Sequence, residues 1–185
     1  VDIDPDTWCI DPDKIISAIT DRTKAIMLVH SFGVPADMDS IMKIAKDYNL
    51  KVIEDAAPAL GATYKGKKVG SFGDFGCFSF HGAKIAVTGE GGMLLTNDEE
   101  LYNKCKLLVN MGRTDRKAVF WSDAIGVQYT MGNLTASLAL AQVERIEELV
   151  EKKRDTFFKY KKYLSEIDGI KFIEERDGDR ANYCY

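Results

Sequence analysis

The sequence has no excess of positive charge and few histidines and cysteines. It contains 25 lysines and arginines against 29 aspartates and glutamates, which gives a formal net charge of −4. A mildly acidic chain is poorly suited to electrostatic binding of nucleic acid or anionic membranes, so neither is expected as a partner. With two histidines and four cysteines that form no CxxC pair, no metal site is predicted. Such scattered cysteines are typical of reduced thiols and predict a cytoplasmic location.

The sequence also has no stretch that is apolar enough for a membrane span. The longest uncharged run, from Ala124 to Val143, contains Gln128 and Asn133, whose side chains are costly in hydrocarbon without partners. Acidic residues occupy the N-terminal positions where a signal peptide would be basic. Because Val1 resembles the end of a strand and Tyr185 falls within a pattern, we expect the chain to be a piece of a longer protein.

Alternating strand and helix patterns predict an α/β fold. The apolar run Ala25–Val29, typical of a strand buried on both faces, precedes a helical pattern at Met38–Ala45 and a second strand pattern at Lys51–Glu54. A strand, a helix and a strand with short links form a βαβ unit, so the sheet is expected to be parallel.

The rest of the chain divides into a glycine-rich part and a helical part. Nine of the fifteen glycines lie between Gly61 and Gly92, which predicts tight turns with short strands. From Asn133 to Ile167 the pattern predicts a long helix. Apolar residues recur along it every seven positions, at Val143, Val150, Phe157 and Leu164.

Two places could carry chemistry. Glu54 and Asp55 end a predicted strand, at the edge where ligands bind in α/β sheets. An acid there could bind a metal, a ribose or a protonated heterocycle, or it could simply cap a turn. Lys84 follows another strand and a turn, next to the apolar Ile85 and Ala86. A desolvated lysine amine can act as a nucleophile, although most lysines are exposed.

The two places occur together in a pattern that resembles a known family. Residues 52–98, VIEDAAPALGATYKGKKVGSFGDFGCFSFHGAKIAVTGEGGMLLTND, closely resemble the core of the DegT/DnrJ/StrS sugar aminotransferases, which are fold-type-I enzymes dependent on pyridoxal phosphate. The resemblance extends upstream over residues 4–41 and downstream over residues 120–149, where it is strongest to the perosamine-synthase branch. It therefore covers nearly the whole chain.

The resemblance implies a fold and a division into domains. The fold would be a three-layer α/β sandwich with a mostly parallel sheet, ending in a long helix towards a small domain. Residues 1–150 would form part of the cofactor-binding large domain, and residues 151–185 would form the linking helix and the start of the small domain. The family's phosphate-binding N-terminal part and most of its small domain would lie outside the chain. A homodimer is implied, with Gly126–Met131 reaching the partner subunit.

The resemblance also assigns roles to individual residues. Lys84 would bind pyridoxal phosphate covalently and move a proton between substrate and cofactor. Asp55 would pair with the pyridine nitrogen and keep it protonated. Ala57 would pack on the ring, Ser79 would donate its hydroxyl to the phosphate, and Gln128 would reach the partner subunit's cofactor phosphate.

The chain departs from the family pattern at three positions. Pro58 stands where the family has a glutamine that bonds the cofactor's phenolic oxygen. Gln128 replaces an asparagine, and Thr130 replaces an arginine and its charge. His30 and His81 are predicted to be hydrogen-bonded supporting residues.

The predicted function is transfer of an amino group from glutamate to a nucleotide-linked 4-keto-6-deoxy sugar, with polysaccharide biosynthesis as the expected setting. One alternative is an inactive, cofactor-free α/β scaffold or binding homologue, which Pro58 and Thr130 keep open. A second is a related pyridoxal-phosphate sugar dehydratase, which would carry histidine in place of Lys84. A third, a Rossmann-type nucleotide binder, lacks its GxGxxG motif here.

Overall fold

A computed structural model describes residues 1–114 and 121–184 and has an α/β fold. The helices are α1 (Pro12–Ala18), α2 (Met38–Asp47), α3 (Glu99–Val109), α4 (Asn133–Val143) and α5 (Ile146–Leu164), with a 3₁₀ turn at Ser31–Gly33. The strands are β1 (Ala25–Val29), β2 (Lys51–Asp55), β3 (Thr63–Tyr64), β4 (Lys67–Lys68), β5 (Phe75–Ser79) and β6 (Gly92–Leu95). Within the described ranges, no helix combines the length and the apolar composition that a bilayer crossing requires.

The main sheet is mostly parallel, which confirms the predicted fold class. Its strand order is β1-β2-β5-β6, with β1, β2 and β5 parallel and β6 antiparallel to β5. The β1–α2–β2 connection is the predicted βαβ unit. Since the parallel strands run in one direction, their carboxyl ends meet at one edge. Asp55 and Ser79, which are predicted to bind the cofactor, lie at this edge.

Helix α2 forms because its sequence supplies both a cap and an apolar face. Asp37 caps its N-terminus by accepting a hydrogen bond from the Ser40 backbone N–H. The buried residues recur at helical spacing, at Met38, Ile41, Ile44 and Ala45. They join β1 and β2 in one hydrophobic core. Each large apolar side chain buried there contributes about 1.5–3 kcal/mol relative to an exposed position.

The prediction that β1 is buried on both faces is wrong for this chain. Ile26 and Leu28 are buried, whereas Met27 is 62% exposed and Val29 is 40% exposed. Ile26 and Leu28 belong to the same hydrophobic core as residues of α1 and α2. The strand therefore shows the alternation of a one-sided sheet despite its continuous apolar sequence.

The predicted long helix is divided into two. Helix α4 ends at Val143 and α5 begins at Ile146, because Arg145 leaves the helical conformation with φ −104° and ψ 14°. The guanidinium of Arg145 forms two hydrogen bonds with Glu148 in the first turn of α5, both at 3.0 Å. The seven-residue spacing is still meaningful within α5, where Val150 is fully buried.

The segment after α5 returns to the sheet. Arg180 pairs with Thr63, and the Asn182 backbone N–H donates to the Gly33 carbonyl at 3.1 Å. Residues 176–184 therefore contact the loops that follow β1 and β2. The proposed boundary at residue 150 stays a prediction, and its two domains include residues 115–120 and 185, which lie outside the described residues.

Candidate active site

Asp55 is the last residue of β2 and lies at the carboxyl edge of the sheet. Its Oδ1 accepts a hydrogen bond from the Ala57 backbone N–H at 3.0 Å, so it caps the following turn. Its own carbonyl accepts from the His30 backbone N–H at 3.1 Å, which joins it to the end of β1. The turn-capping alternative is therefore realised, but it occupies only one of the two carboxylate oxygens. Asp55 is half-buried and keeps a surface for a ligand.

Ser79 lies on the same face of the sheet as Asp55. The register pairs Asp55 with Cys77 on the neighbouring β5, and Ser79 follows two residues later. Since side chains alternate along a strand, Asp55, Cys77 and Ser79 share one face, and Ser79 lies about 7 Å further along it. A carboxylate and a hydroxyl thus lie on the same face of the sheet, at the carboxyl ends of adjacent strands. Ala57 is half-buried beyond Asp55, and Pro58 is buried.

Lys84 lies in the turn that follows β5. The turn is held by the His81 backbone N–H, which donates to Ser79 Oγ at 3.3 Å, and by the Lys84 backbone N–H, which donates to the His81 carbonyl at 2.9 Å. Lys84 is half-buried, and the next two residues, Ile85 and Ala86, are buried. The sequence prediction of an amine in apolar surroundings beyond a strand agrees with this placement.

The charges of Asp55 and Lys84 affect the pKa values of two cysteines. Burial raises the pKa of the Cys77 thiol, and the negative charges of Asp55 and Glu54 raise it further. Burial also raises the pKa of Cys184, whereas the positive charges of Lys153 and Lys84 oppose this rise. Both effects agree with the geometry, since Cys77 pairs with Asp55 in the sheet and the Cys184 thiol lies 4.0 Å from the carbonyl of Ala83, the residue before Lys84.

The sequence left Glu54 and Asp55 as alternatives, and the structure separates them. Glu54 points to the opposite face of β2 and is fully buried. Burial acts to raise its pKa, but hydrogen bonds from His30, Gly73 and Gly70 outweigh it and lower the pKa. The alternation of side chains along a strand could have shown that only one of the two acids faces a ligand.

In the described part of the chain, Gln128 forms no hydrogen bond with Asp55 or Ser79. Gln128 is exposed, its backbone pairs with Asn110, and its amide donates to the hydroxyl of Thr130. Its predicted contact with a partner subunit stays a prediction. His81 is exposed in the turn before Lys84.

The chemistry of this edge fits pyridoxal phosphate better than a metal ion. A carboxylate suits a protonated ring nitrogen, a hydroxyl suits a phosphate, and an amine suits an aldehyde. In the described part of the chain, no group of three histidine, cysteine or acidic side chains is arranged to hold a metal ion.

A comparison with known families agrees with this chemistry. The family model described as the DegT/DnrJ/EryC1/StrS aminotransferase family matches residues 1–185. The chain belongs to this family. Its fold is also that of its structural neighbours, which are fold-type-I aminotransferases.

Individual members of the DegT/DnrJ/EryC1/StrS family are similar over almost the whole chain. The GDP-perosamine synthase of Escherichia coli O157:H7 is 45% identical over 167 residues, which cover 90% of this chain and 46% of the relative. A protein of Bacillus subtilis (strain 168) named as a pyridoxal phosphate-dependent aminotransferase, EpsN, is 40% identical over 182 residues, which cover 95% of this chain and 46% of the relative.

A solved structure of the family is also similar. DesI, crystallised in the presence of its TDP-sugar product, is 32% identical with a TM-score of 0.88, over 100% of this chain and 46% of that chain. The chain thus spans about half the length of the relatives it matches.

Proposed function

We propose that the protein containing this chain is a pyridoxal-phosphate-dependent aminotransferase that acts on a nucleotide-linked keto sugar. The observation that carries the proposal is the placement of Asp55, Ser79 and Lys84 at one edge of the sheet, on β2, on β5 and in the turn after β5. Within the DegT/DnrJ/EryC1/StrS family, this set offers a partner for the ring nitrogen, the phosphate and the aldehyde of the cofactor.

When bound, pyridoxal phosphate supplies an aldehyde that takes up the amino group of a donor and a ring that withdraws electrons from the reacting carbon. The carboxylate of Asp55 holds a proton on the ring nitrogen, which strengthens this withdrawal. Ser79 donates its hydroxyl to the phosphate. Ala57 offers a small apolar side chain to the face of the ring.

The amine of Lys84 has two tasks. It would hold the resting cofactor covalently, and with a donor bound it would carry a proton between the donor's α-carbon and the cofactor. Its attachment after β5 suits both tasks, because the buried Ile85 and Ala86 restrain the backbone next to it. Glutamate is the proposed donor, and it would leave as its keto acid.

The substrate class rests on relatives. One is named a GDP-perosamine synthase, and DesI was crystallised with a TDP-sugar product, so a nucleotide-linked sugar is the acceptor we propose. A 4-keto-6-deoxy sugar is the proposed form of it. The unpaired state of all four cysteines supports the proposed cytoplasmic location.

A single-turnover experiment tests the proposed function. The longest protein that contains this sequence is loaded with pyridoxal phosphate and mixed with glutamate, without acceptor. We expect 2-oxoglutarate and pyridoxamine phosphate to form in equal amounts, no more than one of each per subunit. Lys84→Ala is expected to abolish this turnover, whereas Lys152→Ala, which removes an exposed lysine paired with Glu148, is expected to leave it unchanged.

The outcome against the proposal is equally specific. If the loaded protein forms no pyridoxamine phosphate and no keto acid with glutamate or another amino donor, the aminotransferase assignment fails. If Lys84→Ala retains turnover at the wild-type rate, the assignment of Lys84 fails even where the activity is real.

A homodimer is the oligomeric state we propose. Apolar side chains are exposed within the segment predicted to reach the partner and on both sides of it, with Ile125 at 98%, Tyr129 at 77% and Leu134 at 89% exposure. Sedimentation of the longest protein should give twice the monomer mass, and a monomer mass at micromolar concentration would contradict the proposal.

A further inference from the structure

Directly behind the carboxylate proposed to bind the cofactor lies a second carboxylate that is fully enclosed. Glu54 precedes Asp55 on β2, and its side chain is 0% exposed. Its Oε1 accepts hydrogen bonds from the backbone N–H groups of Phe72 and Gly73, at 2.6 and 2.7 Å. Its Oε2 accepts from the Gly70 backbone N–H at 2.6 Å and contacts His30 Nε2 at 3.1 Å. Four donors therefore surround one carboxylate.

The fourth donor, His30, ties this carboxylate to the ends of β1 and β2. His30 is also 0% exposed, and its Nδ1 accepts a hydrogen bond from the Ala36 backbone N–H at 3.0 Å. Since Nδ1 accepts, the proton of the ring lies on Nε2 and is donated to Glu54. The His30 backbone N–H donates in turn to the Asp55 carbonyl at 3.1 Å. One residue thus contacts Glu54 through its side chain and Asp55 through its backbone.

The loop that supplies the three amides fits closely against β2 and β5. A Cβ atom at Gly73 would lie 2.6 Å from the Val52 carbonyl oxygen, and one at Gly76 would lie 2.0 Å from the Gly70 carbonyl oxygen. The approach is possible only because these residues are glycines. Residues 70–73 therefore form a rigid backing for the last residues of β2.

We propose that Glu54 and His30 are positioning residues that fix the carboxylate of Asp55 for the ring nitrogen of the cofactor. The inference rests on the proposed function. Asp55 is held on one side by its neighbour Glu54 and on the other by the backbone of His30, so a shift of either residue moves the end of β2. Neither residue faces the ligand, because both are fully enclosed on the opposite face.

Substitution of Glu54 by glutamine is the most direct perturbation. Each oxygen of Glu54 accepts from two donors, so either orientation of a glutamine amide turns its NH₂ group towards two donors. His30→Gln is a milder variant, since Glu54 retains its three backbone amides. Asp74→Asn is the matched control, because Asp74 accepts from the Val52 backbone N–H at 2.9 Å at the other end of the same strand.

The test measures binding of pyridoxamine phosphate, which cannot attach to Lys84 and so reports the ring and phosphate contacts alone. In the longest protein that contains this sequence, we expect Glu54→Gln and His30→Gln to raise the dissociation constant at least tenfold. Asp74→Asn should change it less than twofold. In an Asp55→Asn background, adding either variant should change it less than twofold, because the contact that they position is already lost.

Three results would overturn the inference. One is a dissociation constant within twofold of wild type in His30→Gln, which remains decisive if Glu54→Gln does not fold. Another is an equal loss of affinity in the presence and absence of the Asp55 carboxylate, which would indicate a general effect on folding. If the wild-type protein binds neither pyridoxamine phosphate nor pyridoxal phosphate, the proposed function fails and this inference fails with it. If the wild-type protein binds and the variants have the same dissociation constant, the inference alone fails.

Discussion

A partly buried ion pair joins helix α5 to the chain segment that follows it. Removing this ion pair should destabilise the protein measurably. Arg154 donates from Nη1 and Nη2 to the two oxygens of Glu175, at 2.7 and 2.9 Å. The Ala181 backbone N–H donates to Glu175 Oε2 at 2.7 Å, and Arg154 Nη1 donates to the Ala181 carbonyl at 2.6 Å. The perturbation is Glu175→Gln, which keeps the size of the side chain but not its charge.

The expected magnitude follows from the burial of the pair. Breaking a fully buried pair costs roughly 3–5 kcal/mol, because the remaining charge loses its partner. The side chains of Arg154 and Glu175 are 15% and 22% exposed, so water compensates part of this loss. We therefore expect Glu175→Gln to lower the free energy of unfolding by about 2–3 kcal/mol.

Urea unfolding of wild type and variant at pH 7 measures this difference. Glu148→Gln is the control, because Glu148 forms a similar two-bond pair with Arg145 on the exposed surface. Exposed pairs contribute little, so this variant should unfold like wild type. An equal effect of the two substitutions, or no effect of Glu175→Gln, would show that the partly buried pair does not stabilise the fold as expected.

The same pair predicts a dependence on pH. Burial acts to raise the pKa of Glu175, but the hydrogen bonds from Arg154 and Ala181 outweigh it and lower the pKa below its ordinary value of 4.5. The stabilisation by the ionised carboxylate is therefore present above about pH 4.5 and is lost as the pH falls through the lowered pKa. The difference between wild type and Glu175→Gln should shrink below this pH, and a constant difference down to pH 3 would contradict the assignment.

Two further predictions concern the loop after β1 and the face of the sheet that carries Asp55. Gly33→Ala would place a Cβ atom 1.8 Å from Asn182 Oδ1 at a φ of +86°, so urea unfolding should show a loss of about 2–5 kcal/mol. Gly66→Ala, with φ +83° and no atom within 4 Å, should lose only about 1 kcal/mol, and equal losses would contradict the contact with Asn182. Asp55→Asn should make alkylation of Cys77 by iodoacetamide at least about twofold faster at pH 8, because burial and then the Asp55 charge raise the pKa of this thiol. Peptide mapping follows the alkylation of Cys77. An unchanged rate at this thiol would show that the Asp55 charge does not act on it.

The parts of the fold that depend on local periodicity could be predicted from the sequence. The strands at Ala25–Val29 and Lys51–Asp55 and the helix between them follow from apolar spacing and from the capping residue Asp37. The candidate site followed in part, because Asp55 and Lys84 come directly after strands whose carboxyl ends share an edge. Their assignment as cofactor residues required the resemblance to a family.

The contacts that support the site could not be predicted in this way. Glu54 is bound by backbone amides 16 to 19 residues away, and Asn182 donates to the Leu60 carbonyl across 122 residues. Such pairings have no periodic signal, since backbone amides carry no residue identity. The sequence does not predict the break between α4 and α5 at Arg145 either, because helix-forming residues lie on both sides of it.

We propose that the amine of Lys84 binds pyridoxal phosphate. The most direct measurement is the near-visible absorption spectrum of the longest protein that contains this sequence, mixed with pyridoxal phosphate, reduced with borohydride and digested for peptide mapping. We expect a protein-dependent band and, after reduction, a cofactor mass on the peptide that contains Lys84. No band, or a label distributed over surface lysines such as Lys43 and Lys67, would contradict it.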